Sequence, residues 1–147
     1  PDSVNITLGT DPGVNDSGRE NIAYVWTEKQ GFSKFGAYVG NGNVDGPFIY
    51  CGFKPAYIVI KEPDAVSAWI VFSNKTPFDT STFEKPRLVA NATGTDSGSN
   101  LGLDFLSNGF KLRETDTDIN GSGDDFIYIA FAEAPFVNSE GVPCNAE

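Results

Sequence analysis

The run Asp116-Thr117-Asp118-Ile119-Asn120-Gly121 sets side-chain oxygens at alternate positions ahead of a glycine, the spacing that opens a calcium-binding loop. Position 12 of such a loop should be a bidentate Glu, but Ile127 stands there, so Asp124 and Asp125 would have to bend back to complete the shell. Calcium is therefore half a site, through Asp116, Asp118 and Asn120, set against the plainer reading of a solvated acidic turn. Histidine is absent, which excludes serine and cysteine hydrolases built on a histidine base and histidine-ligated metals. A carboxylate pair can hydrolyse glycosides without histidine, but among 20 acidic residues suitable separations arise by chance and no pair is marked. The expectation is a non-enzymatic protein. Cys51, between Tyr50 and Gly52, reads as an inert buried thiol, while Cys144 is placed to bridge to it or to another chain. Aromatic faces can stack on sugars, but Trp26, Trp69 and the tyrosines fall in strand-like runs where packing claims most of them. A surface glycan would be met instead by the loop residues Asn41, Asn43, Asp45 and Asp96.

These residues need a scaffold, and 147 residues supply one core. Runs rich in β-branched and aromatic residues recur between Gly, Pro, Asn and Asp, which predicts strands near 21–29, 32–39, 47–53, 56–61, 68–73, 87–90, 101–106, 110–114 and 126–133. Asn108-Gly109 predicts a two-residue hairpin turn. Runs 57–60, 69–72 and 127–131 are apolar on both faces and belong at the centre of a sheet or under an outer cover. The fold class is all-β: an immunoglobulin-like or jelly-roll-like β-sandwich of about eight to nine strands. The longest apolar run, Phe126 to Ala132, is too short to cross a bilayer as a helix, so no membrane insertion is expected. A net charge of −10 repels phosphate backbones, so nucleic acid is not an expected partner. Methionine is absent and the chain starts Pro1-Asp2-Ser3, the mark of a processed chain or a piece of a longer one.

At an offset of 105, Thr10 to Glu28 align with Thr115 to Glu133, with identities at Thr10/Thr115, Asp11/Asp116, Asn15/Asn120, Ser17/Ser122, Gly18/Gly123, Ile22/Ile127 and Glu28/Glu133. Roughly one identity would arise by chance at ordinary residue frequencies. The two stretches should fold alike, as a turn followed by a strand, and one of the two strands is spare. Residues 1–30 then form an N-terminal strand segment, either the end of a preceding module or a donated strand, and residues 31–147 form the sandwich. A strand belonging to one self-contained sandwich is the plainer alternative. The assembly strand is carried by Ile22, Tyr24 and Trp26 and by their counterparts Ile127, Ile129 and Phe131.

The segments Gly31-Phe32-Ser33-Lys34-Phe35-Gly36-Ala37-Tyr38-Val39-Gly40-Asn41-Gly42, Asp45-Gly46-Pro47-Phe48, Gly52-Phe53-Lys54-Pro55-Ala56, Asp104-Phe105-Leu106-Ser107-Asn108-Gly109-Phe110-Lys111-Leu112-Arg113 and Ile127-Tyr128-Ile129-Ala130-Phe131-Ala132-Glu133-Ala134-Pro135-Phe136 resemble a domain of unknown function found in bacteriophage virion proteins. Such proteins are usually described as tail-fibre or related structural components. The resemblance covers about residues 10 to 142, implies an extracellular or virion setting, and brings no catalytic residues. Together these readings predict a structural module of a fibre or virion appendage that forms a homo-oligomer or polymer and contacts a surface glycan. The alternatives are a pilus-like filament subunit joined by N-terminal strand exchange and a capsid-decorating or carbohydrate-binding module.

Overall fold

Residues 5–76, 85–91 and 100–134 are described by a computed structural model of the chain. Alternation of apolar and polar residues places one face of each strand on a shared core. In chain order the strands are β1 (Ser33–Val39), β2 (Phe48–Tyr50), β3 (Pro55–Lys61), β4 (Ile70–Ser73), β5 (Lys85–Pro86), β6 (Leu88–Val89), β7 (Asn100–Leu101), β8 (Leu103–Leu106), β9 (Gly109–Leu112) and β10 (Asp125–Ala132). Two single-turn helices complete the set, α1 (Pro12–Asn15) and α2 (Thr117–Asn120). The fold is an all-β sandwich. A five-stranded antiparallel sheet, ordered β1-β10-β3-β4-β6, faces a three-stranded one, β2-β9-β8, and β5 pairs with β7 in a short separate ladder.

The core lies between the two sheets. Ile58, Ile60, Ile70, Phe72, Phe126 and Tyr128 point in from the larger sheet and meet Ile49, Leu103, Phe110 and Leu112 from the smaller. Phe110 and Tyr128 touch edge to face across the interface, their ring centroids 5.5 Å apart. The predicted centrality of the doubly apolar runs holds: β10 is inserted between β1 and β3, and β4 lies between β3 and β6. On its outer face Phe131 is covered edge-on by Phe32 and Phe35 and tilted against Tyr57.

Three expectations are corrected. The strand predicted at 21–29 does not form: apart from one bridge between Lys29 and Ser33, this stretch joins no ladder among the described residues, and a strand without a partner has no ladder to stabilise it. The β8–β9 turn is Ser107-Asn108, one residue earlier than predicted, with Gly109 opposite Leu106 inside the ladder. Gly109 is needed because β2 passes so close that a Cβ there would lie 2.1 Å from the Ile49 carbonyl oxygen, and not because the turn demands positive φ. The single strand predicted at 101–106 is broken at Gly102, whose carbonyl accepts the Arg113 N–H at 2.8 Å.

Candidate functional site

Asp116 is the N-cap of α2, and its side chain accepts the Asp118 N–H at 2.8 Å. The turn delivers Ile119 and Asn120 into the protein, both fully buried. A buried amide must be satisfied, and Asn120 meets that demand on the opposite loop. Its Oδ1 accepts the Asn41 N–H at 2.9 Å. Its amide group donates to the Asn41 side chain at 3.2 Å, the Asn43 carbonyl at 2.9 Å and the Glu114 carbonyl at 2.6 Å. Backbone bonds from Gly42 N–H to the Asn120 carbonyl and from Gly123 N–H to the Gly40 carbonyl, each 2.9 Å, close the joint. Gly40 has no room for a side chain, since a Cβ would lie 2.1 Å from the Gly121 carbonyl oxygen. Tyr38 donates its hydroxyl to the Ile119 carbonyl at 2.7 Å, and burial pushes that hydroxyl far above its ordinary pKa.

Asn120 is thus a lock that fastens the α2–β10 element onto loop 40–46. This accounts for the calcium candidates differently from the sequence reading. Asp116 caps the helix, Asp118 pairs with Arg87 at 3.0 Å, and Asn120 is consumed by the lock. Among the described residues no three of His, Cys, Asp and Glu converge on a point where a cation would sit.

The glycan candidates are engaged as well. Asn41 accepts the Asn43 N–H, Asn43 accepts the Asp45 N–H, and Asp45 pairs with Lys111 at 2.6 Å and with Arg113 at 3.5 Å. The Lys111 ammonium, with Arg113 behind it, holds the Asp45 carboxyl below its ordinary pKa. Asp96 and Cys144 lie outside the described residues. Cys51 is buried beside a cleft of about 500 Å³ lined also by Glu28, Lys34, Tyr50 and Phe53, and burial pushes its thiol up to about 12, far from a nucleophile's range.

The N-terminal stretch repeats the α2 turn bond for bond. Asp11 caps α1 and accepts the Gly13 N–H at 2.7 Å. The Asn15 N–H reaches the Asp11 carbonyl at 2.9 Å, as the Asn120 N–H reaches that of Asp116 at 2.8 Å. The Asn15 side chain donates to the Gly9 carbonyl at 2.7 Å, the counterpart of the bond from Asn120 to Glu114. Both turns leave through a glycine with positive φ, +79° at Gly18 and +86° at Gly123.

What differs is the surroundings. Ile22, Tyr24 and Trp26 are 82%, 75% and 57% exposed, with the Tyr24 and Trp26 rings stacked on each other. Their counterparts Ile127, Ile129 and Phe131 lie in a paired strand, where Ile129 and Phe131 are half-buried. The structure therefore does not bring the two trios together. The lock itself was missed in the sequence, where Asn120 reads as a metal ligand. The signal that could have found it is the repeated Asp-x-x-x-Asn: an asparagine facing inward from an N-capped turn.

Residues 1–135 match a family described as a domain of unknown function, DUF7483. The chain belongs to that family. The match takes in the duplicated N-terminal stretch together with the sandwich. No match was found among curated proteins or among solved structures.

Proposed function

We propose that this domain is a non-enzymatic structural module of an extracellular fibre or phage virion appendage, working through assembly contacts. The observation that carries the reading is the second copy of the docking element, complete in its internal hydrogen bonds and exposing Ile22, Tyr24 and Trp26 to water. Contiguous exposed apolar side chains on a segment with strand pattern mark a protein contact more often than a catalytic surface. Among the described residues, the candidate ligand-binding groups Asn41, Asn43, Asp45 and Asn120 are engaged with one another or with Lys111, which favours a load-bearing part over a binding cup. The resemblance of segments 31–42, 45–48, 52–56, 104–113 and 127–136 to virion proteins supplies the setting.

A second reading, a free filament whose subunits contact one another through the N-terminal segment, draws on the same exposed trio. Immunogold labelling of virions and surface filaments from the source, with antibody raised against this chain, tests the proposal. Label on a tail or capsid appendage supports it. Label confined to free filaments favours the second reading, and label on neither sinks both.

A further inference from the structure

The duplicated element has three possible hosts, and the structure distinguishes them. The first is the sheet edge of its own chain. The hairpin starting at the Lys29–Ser33 bridge would have to continue with Thr27 opposite Phe35. That rung does not form among the described residues: the Thr27 carbonyl it needs accepts the Ser33 hydroxyl at 3.0 Å instead, and Lys29–Ser33 stays a single bridge. The pairing is capped after one bridge.

The second host is the β10 slot of an identical chain. The shared turn fixes the register, so Asn21, Ala23 and Val25 would take the inward places of Phe126, Tyr128 and Ala130. Phe126 is fully buried and stacked on Tyr38 at 5.2 Å, and Tyr128 packs over Gly36 and against Phe110. An asparagine and an alanine there would leave a void and an unpaired amide among aromatic rings. The element fits the slot's shape at its turn and not the slot's core.

The third host is a domain of the same fold with a different core. We propose that residues 9–28 are the closing element of such a domain, carried upstream on the same polypeptide, and that Asn15 locks into its counterpart of loop 40–46. Asn15 keeps the internal bond to Gly9, while the described residues supply none of the loop partners that Asn120 finds in Asn41 and Asn43. The host must offer a polar group facing Asn21 and bulk facing Ala23. The inference deepens the assembly reading by naming the neighbour, and rests on it only in that the exposed element is a contact.

Amide hydrogen exchange on the 147-residue chain, and on the parent polypeptide extended upstream by about one repeat offset, tests it. In the shorter chain, residues 20–28 should exchange freely at every protein concentration. In the extended one they should slow by at least about a hundredfold, toward the protection of β10. Asn15→Ala should reverse much of that protection in the extended chain and leave the melting temperature of the shorter chain unchanged. Protection in the shorter chain that rises with concentration would assign the element to an identical copy, and protection independent of concentration would assign it to its own sheet. Either overturns the proposal, as does an extended chain with no gain in protection or a parent with no such domain upstream. Protected amides alongside negative immunogold labelling would end the appendage reading and leave this docking standing.

Discussion

Asn120 concentrates the most structure in one side chain. Truncation to Ala takes the partner away from the Asn41 N–H and the Asn43 and Glu114 carbonyls in a part-buried joint and empties a fully buried position, so Asn120→Ala should cost about 1–3 kcal/mol in urea unfolding. Asn15→Ala, lacking those loop partners, should cost less than about 0.5 kcal/mol. Glu133 anchors the end of β10 to Lys54 at 2.7 Å and Lys75 at 3.0 Å, and these bonds pull its carboxyl from the ordinary 4.5 down to about 2. A carboxyl depressed in the folded state stabilises fully above its unfolded pKa and loses that contribution as pH falls through the folded one. Stability should therefore decline between about pH 4.5 and 2 by an amount that Glu133→Gln removes, about 0.5–1 kcal/mol for so solvated a cluster. In a Cys144→Ser background, Cys51 should resist a thiol reagent at pH 8 until denaturant is added, and fast native labelling would contradict its burial.

At the scale of elements, the same pattern gives two outcomes. Residues 20–28 and β10 share turn chemistry and apolar spacing, yet only β10 has neighbours on both sides. Phe126→Ala should destabilise by about 3–5 kcal/mol, while Asn21→Ala should leave the midpoint of unfolding unmoved. The runs at 32–39, 56–61 and 126–133 were legible to within about one residue, because β-branched and aromatic density states them directly. The turn at Ser107-Asn108 was misplaced because Gly109 answers to β2, a neighbour invisible in local sequence. Asp116, Asp118 and Asn120 were legible as a turn but not as a lock, since that role depends on a loop 79 positions away.

The whole molecule folds by long-range closure: β10 must insert between β1 and β3, far behind it in the chain, before the larger sheet exists. Such topology predicts refolding in milliseconds to seconds, measurable by stopped-flow fluorescence of the tryptophans, and microsecond refolding would contradict it. The sequence by itself determined the class of fold and the shape of both Asp-capped turns, because short apolar runs, glycines and N-caps act through bonds spanning about ten residues or fewer. Only the tertiary structure decided which of two matching segments becomes a strand and what Asn120 holds. A strand's hydrogen bonds and a buried amide's partners both come from distant parts of a chain, or from another domain, and spacing along the sequence does not record who arrives.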